Sequence, residues 1–127
     1  MGTNSDEGTY VFKIVNELNA RQSSNDYGYR EIGWDEDQLW NPIITDLLNY
    51  AVPTIVRIYT NALYMYDGNR FNHYVTITGF YGNQTPELTK RLTYADNYYG
   101  TYTYGSVHGE HTDTLQHFLN GTTYLIW

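Results

Sequence analysis

Apolar residues in the first part of the chain recur every three or four positions. This spacing predicts an amphipathic helix between Gly8 and Ala20, because residues so spaced line one face of a helix. The apolar positions of this helix are Val11, Ile14, Val15 and Leu18. Farther along, Tyr27, Tyr29 and Ile32 predict a short extended segment with alternating faces.

A second apolar stripe runs at helical spacing from Leu39 to Leu48. Asp35 is suited to cap this helix, with Gln38 three residues later as its capping-box partner. Because of Pro42, two start positions remain possible for this helix. A helix that begins at Asp35 is kinked by the proline, whereas a helix that begins at Asn41 holds it at the favoured first position.

After Pro53 the pattern changes to that of strands, with β-branched residues and alternating faces. Extended segments are predicted at Thr54 to Tyr59, Leu63 to Tyr66, His73 to Phe80, Arg91 to Asp96 and Thr122 to Trp127. Asn83 to Pro86 is predicted to be a loop, and Tyr98 to Tyr104 a hairpin. A third helix is predicted from Thr112 to Asn120, with Thr112 as its cap and Gly121 as its terminator.

The order of these elements predicts the fold class. Two helices come first, and a strand-rich second half follows with one late helix, which favours an α+β fold with an antiparallel sheet. The 127 residues suit one domain. We expect residues 1–7 to be a tag or flexible arm and residues 8–127 to form a single domain.

Composition narrows the function. The chain has no cysteine, which excludes disulfides, thiolate metal sites and a cysteine nucleophile on this chain. Its formal net charge of −7, with only 7 Lys and Arg residues, disfavours nucleic acid as a partner. No apolar run approaches the roughly 20 residues that span a bilayer. The 15 tyrosines exceed what a core needs, so some must lie at the surface.

A histidine opens one predicted strand, and an aspartate closes the next. Imidazole is suited to act as a general base near neutral pH, and a carboxylate on its other nitrogen fixes the tautomer and tilt. Neighbouring antiparallel strands bring such a pair within reach when both side chains share a face. His73 and Asp96 have the residue types and the strand positions that such a pair needs. Taken singly, His73 is more typical of a strand-end histidine bonded to a carbonyl, and Asp96 of a turn residue.

Three segments carry a family resemblance. Asn72 to Phe80 gives a histidine, an alternating strand, a glycine and an aromatic residue in order, and Leu92 to Gly100 gives a second strand that ends in aspartate. Upstream, a helix passes through a proline turn into the strand within Ala51 to Val56. This ordered set resembles the papain-like cysteine peptidases of the bacteriocin-leader-processing type and their secreted bacterial relatives. The resemblance extends from Gly8 to Trp127.

The resemblance implies a papain-like architecture in which an antiparallel sheet packs with helices. It also implies that His73 is the general base, that Asp96 orients it, and that the substrate is a peptide or protein. A secreted or cell-surface location in a bacterium is implied as well.

The chain departs from this family at the nucleophile. The family's cysteine opens a helix near the start of the domain, just after an oxyanion-hole glutamine, and neither residue is here. Asn97 also stands where proline is usual, and the serines Ser5, Ser23 and Ser24 lie in predicted arm or turn segments. Because a nucleophile must lie beside its base, we expect no hydrolysis by this chain alone. The nucleophile helix then precedes this sequence, belongs to another chain, or is lost in a non-catalytic descendant.

The missing helix has a structural consequence. A domain that keeps the remaining elements should expose an apolar face where the helix would pack. Because large exposed apolar patches mark interfaces, we expect self-association or a partner that covers this face.

A second hypothesis belongs to a different class, a non-catalytic extracellular binding module. Tyr98, Tyr99 and Tyr102 lie in a Gly-rich segment directly after Asp96. Exposed rings stack on sugars or on peptide side chains, so this segment is a candidate for binding substrate, polysaccharide or peptide. Sheet and core packing is the competing interpretation, because tyrosine favours strands.

The densest set of metal-ligand residue types lies near the C-terminus. It comprises His108, Glu110, His111, Asp113 and His117. The i,i+4 histidine pair of a helical zinc site is absent from it. We therefore expect a solvated loop and helix face, with no metal and no cofactor, and keep a metal site as the alternative.

Overall fold

The computed structural model describes residues 9–22, 24, 26–33, 35–82 and 90–127. The predicted arm, residues 1–7, and the predicted loop from Asn83 to Pro86 lie outside this set. The helices are α1 Val11–Arg21, α2 Glu36–Thr45 and α3 Leu115–Gly121. The strands are β1 Tyr29–Glu31, β2 Thr54–Tyr59, β3 Asn72–Tyr81, β4 Arg91–Asp96, β5 Thr101–Tyr102, β6 Gly105–Ser106, β7 Gly109–Thr114 and β8 Thr122–Ile126.

Six strands form one antiparallel sheet in the order β1-β8-β2-β3-β4-β7. Strands β2, β3, β4 and β7 follow one another as a meander, whereas β8 inserts between β1 and β2. The short strands β5 and β6 pair separately as a hairpin. The prediction of an α+β fold with an antiparallel sheet is confirmed.

The main core lies on one face of the large sheet, which α2 and α3 cover. Alternate residues of β2, β3 and β4 point into it, as in the buried-half-buried pattern along β2. Its fully buried members include Leu39, Ile43, Val56, Ile58, Ile77, Leu92, Leu115, Phe118 and Leu125. On the opposite face, α1 packs its apolar stripe of Val11, Ile14 and Val15 against Ile126.

Helix α2 begins at the earlier of its two predicted starts and carries Pro42 inside it. Asp35 caps it, since its carboxylate accepts from the Asp37 backbone N–H at 2.9 Å. Proline has no N–H to donate to the carbonyl of Gln38 four residues earlier. The Arg30 guanidinium donates to that carbonyl instead, at 3.0 Å, which compensates the lost helical hydrogen bond.

The backbone leaves regular geometry directly after α2. Residues Asp46–Tyr50 form a π-helical turn, and Ala51 takes a left-handed conformation with φ of 53°. Both conformations are sparsely populated for non-glycine residues. They turn the chain into β2.

Two predicted elements are wrong. The segment predicted as extended from Leu63 to Tyr66 contains a 3-10 turn, Tyr64–Tyr66. The third helix starts later than predicted, because residues 109–114 form strand β7. In that strand Thr112 pairs with Thr93 of β4. Thr114 is the true cap, and its hydroxyl accepts from the His117 N–H at 3.2 Å.

Candidate functional site

The structure brings His73 and Asp96 together at one end of the large sheet. His73 lies near the start of β3 and Asp96 ends β4, and the ladder pairs Thr76 with Ala95. That register places both side chains on the core face as a diagonal cross-strand pair. His73 Nε2 lies 2.8 Å from Asp96 Oδ1, which is hydrogen-bonding distance.

The two side chains differ in exposure. The Asp96 side chain is 0% exposed, whereas that of His73 is 17% exposed. Because an ionised carboxylate can only accept, His73 Nε2 carries the proton of this hydrogen bond. Nδ1 has no hydrogen bond to any residue in the described part of the chain, so it is the nitrogen left to take a proton.

Asp96 accepts three hydrogen bonds. Besides His73, the Tyr66 hydroxyl donates to Oδ2 at 2.7 Å, and the Tyr98 backbone N–H donates to Oδ1 at 2.9 Å. Burial acts to raise the pKa of the Asp96 carboxyl, but these hydrogen bonds outweigh it and hold the pKa below its ordinary value. The carboxylate therefore stays ionised near neutral pH.

The sequence did not indicate Tyr66 as part of this site. Its ring is fully buried, and burial together with the bond to Asp96 raises the pKa of its hydroxyl. The hydroxyl therefore stays protonated and donates to Asp96. No motif links residues 30 positions apart, and only the 3-10 turn directs this tyrosine toward the aspartate.

Aromatic rings surround the imidazole. The ring centroids of Phe71 and Tyr98 each lie 6.0 Å from that of His73, and the Tyr66 ring lies 6.2 Å away. These rings restrict the tilt of the imidazole. They also reduce the access of water to its hydrogen bond with Asp96.

The three predicted contact tyrosines have different surroundings. Tyr98 packs on Tyr66 at 5.9 Å and donates its backbone N–H to the site. Tyr102 is half-buried and also packs on Tyr66 at 5.9 Å. Tyr99 is 84% exposed and stacks on His108, with centroids 4.0 Å apart. Of the three, Tyr99 offers the most free ring surface to a ligand.

The proposed metal-ligand residues are spread over separate contacts. The buried Asp113 accepts from His117 Nδ1 at 2.6 Å and from the Tyr64 backbone N–H at 2.7 Å. His111 Nε2 lies 2.8 Å from the Val107 carbonyl oxygen, and His108 stacks on Tyr99. Within the described segments, no three His, Cys, Asp or Glu side chains converge as a metal site would require.

A catalytic base acts on a nucleophile that lies beside it. Among the described residues, no serine or threonine hydroxyl is hydrogen-bonded to His73, and the chain has no cysteine. His73 and Asp96, the candidate base and orienter, are therefore adjacent, and the described residues hydrogen-bond no serine or threonine hydroxyl to the imidazole.

Comparisons with known proteins give no relative. A scan against protein-family models finds no match, and neither a search of curated proteins nor one of solved structures finds a significant one. In the segments that the structure describes, every helix is too short or too polar to cross a membrane.

Proposed function

We propose that this chain is a papain-like, cysteine-peptidase-type domain that carries the general base and its orienting carboxylate but no nucleophile. The observation that supports this most directly is the 2.8 Å contact between His73 Nε2 and the buried Asp96 carboxylate. The order of the sequence motifs and the antiparallel sheet agree with it. Alone, the chain binds or positions a peptide without cleaving it.

A segment that completed this site would have to reach His73 Nδ1. Aromatic rings that are a third or more exposed lie on the 3-10 turn and on the segment that follows Asp96, and this set of rings is called the aromatic surface below. It consists of Tyr64, Tyr98, Tyr99 and Tyr104. This surface is our candidate for the face that a second copy or a completing partner covers, in a bacterial protein that acts outside the cell.

An introduced thiol tests whether His73 acts as a base. Tyr98→Cys and Phe71→Cys each place a sulfur where a ring now neighbours the imidazole. A histidine base stabilises the thiolate, so we expect at least one thiol pKa to fall about one unit or more below the ordinary value of about 8.5. The rate of iodoacetamide alkylation against pH measures this pKa.

Two controls decide the outcome. Adding His73→Gln to each variant should return the thiol pKa to its ordinary value. Tyr99→Cys is the matched control, because its neighbour His108 stacks on it and has no carboxylate partner among the described residues. Alkylation that is indifferent to His73 in both variants contradicts the proposal. So does peptide hydrolysis by the unmodified chain, because the proposal gives this chain no nucleophile.

One observation favours the binding module as a second candidate function. Tyr99 is 84% exposed, yet its ring is held flat by the stack on His108. A ring that is already oriented loses little entropy when it binds. Titration calorimetry with soluble cell-wall glycans and with peptides, on the unmodified chain and on Tyr99→Ala, tests it. No heat of binding from either ligand class counts against this candidate.

A further inference from the structure

A groove lies at the end of the sheet opposite His73. Two cavities of about 440 and 310 Å³ adjoin there, and Asp46 and Trp127 line both. The register pairs Ile58 with His73 at one end of β2 and Ile55 with Ile126 near the other. We propose that this groove binds a neutral oligosaccharide. This site is separate from the proposed peptidase-type site and does not depend on it.

Trp127 supplies the aromatic platform of the groove. Its backbone extends the pairing of β1 and β8, since Gly28 N–H donates to the Trp127 carbonyl at 2.9 Å and Trp127 N–H donates to Gly28 at 3.2 Å. The Arg30 guanidinium lies 5.2 Å from the indole centroid, and it is held in turn by the Gln38 carbonyl. The indole is therefore placed before any ligand arrives, which lowers the entropy cost of stacking a sugar.

An irregular backbone forms one wall. Asp46 and Tyr50 come from the two ends of the π-helical turn, and the left-handed Ala51 follows. Irregular turns of both kinds cost free energy and concentrate at binding sites. Both Asp46 and Tyr50 line the second cavity, and the chain continues from this wall into β2.

The polar lining selects the class of ligand. Asp37 and Asp46 offer carboxylate acceptors, and Gln38 and Asn41 line the same cavity with groups able to donate and accept. Asp46 is engaged by the Thr54 hydroxyl at 3.3 Å, which leaves lone pairs for further donors. A sugar presents many hydroxyls around an apolar ring face, and this combination of groups matches it.

Charge disfavours the other ligand classes. An anion would meet the carboxylates of Asp26, Asp37 and Asp46. A cation on the platform would meet the guanidinium of Arg30, which already lies over the Trp127 indole. A neutral, hydroxyl-rich ligand avoids both repulsions, and the combined volume of the two cavities suits several sugar units.

Indole resonances in a ¹H–¹⁵N spectrum report on the platform directly. The chain has three tryptophans, and Trp127→Phe identifies the signal of this one. We expect chitohexaose, cellohexaose or xylohexaose at millimolar concentration to shift the Trp127 signal and leave the Trp40 signal in place. Trp127→Ala should weaken the binding at least about tenfold, as for a central aromatic contact.

A second variant tests the groove without changing a buried residue. Tyr50 is 68% exposed, so Tyr50→Ala leaves the core intact, and we expect it to weaken the sugar about threefold to tenfold. Tyr81→Ala is the matched control, with an equally exposed ring outside the groove, and should bind as the unmodified chain does.

Three results would overturn the proposal. The first is that none of the three hexasaccharides moves the Trp127 signal at millimolar concentration. The second is that hexalysine alone moves it, which would make the groove a site for basic peptides. The third is binding that survives both groove substitutions and is lost in Tyr99→Ala, which would place the sugar on the aromatic surface.

Discussion

Replacing Tyr66 by phenylalanine removes one buried hydroxyl and leaves its ring in place. That hydroxyl donates to the Asp96 carboxylate at 2.7 Å, and the carboxylate side chain is 0% exposed. A hydrogen bond to a charged group is worth about 1.5–3 kcal/mol, and its loss leaves a desolvated oxygen without a donor. We therefore expect Tyr66→Phe to lower the free energy of unfolding by about 2–3 kcal/mol near neutral pH.

Tyr94 provides the matched control. It lies two residues before Asp96 on β4, is also fully buried, and its hydroxyl has no hydrogen-bond partner among the described residues. Removing a hydroxyl of this kind relieves a desolvation cost, so Tyr94→Phe should be neutral or stabilising. The two variants delete the same atom from the same residue type, and only the hydrogen bond distinguishes them.

The dependence on pH has a defined sign. The pKa of Asp96 is lowered in the folded chain, so its stabilising contribution is complete above the ordinary value of 3.8 and is lost as the pH falls through the lowered pKa. Tyr66→Phe moves the folded pKa back toward the ordinary value. Its penalty is therefore largest near neutral pH and shrinks in acid.

Urea unfolding near pH 7 and near pH 3 measures both effects. A penalty below about 0.5 kcal/mol at neutral pH would show that the hydroxyl does not stabilise the carboxylate. Equal penalties for Tyr66→Phe and Tyr94→Phe, or a penalty that grows in acid, would refute the reasoning as well.

Two further predictions concern α3. A Cβ at Gly121 would lie 2.6 Å from the Ala62 Cβ, so Gly121→Ala should lower the free energy of unfolding in urea by about 1–3 kcal/mol. A Cβ at Gly28 would have no atom within 4 Å, so Gly28→Ala should lower it far less. Similar costs for the two alanines would contradict the packing described. Thr114→Ala should cost about 1 kcal/mol by removing the helix cap, and Thr112→Ala, on the exposed side of β7, should cost less than half of that. A larger cost for Thr112→Ala than for Thr114→Ala would instead support the predicted helix start at Thr112.

Local pattern was enough to predict the strands that flank the site. Strands β2 and β4 have the predicted bounds, because a buried alternate face marks both and β2 is also rich in β-branched residues. The contact between His73 and Asp96 was predicted from the family resemblance, and the alternation of the two strands agreed with it. The two-residue period of a strand fixes which of its side chains share a face, and this can be read from the sequence.

Features set by pairing and by distant contacts were not predictable. Thr112 and Thr114 are equally good caps in isolation, and only the pairing of β7 with β4 decides between them. Tyr66 reaches Asp96 through a 3-10 turn that has no periodic signal over three residues. The groove at Trp127 needs α2, the π-helical turn, the segment before β1 and the residue after β8, which no local window contains.

The place of β8 in the sheet has a consequence for biosynthesis. Strands β2, β3, β4 and β7 can pair in the order in which the ribosome delivers them, because each lies beside its predecessor. The early segments α1 and β1 dock onto β8, which comes last in chain order among the described strands. Strand β1 has β8 as its only neighbour in the described sheet, so its pairing must wait until residue 126 is outside the exit tunnel. Until β8 forms, α1 can pack only on Ile55 and Tyr74 of β2 and β3, and part of its apolar stripe stays exposed. We therefore expect translation speed and chaperone access to affect the yield of this protein.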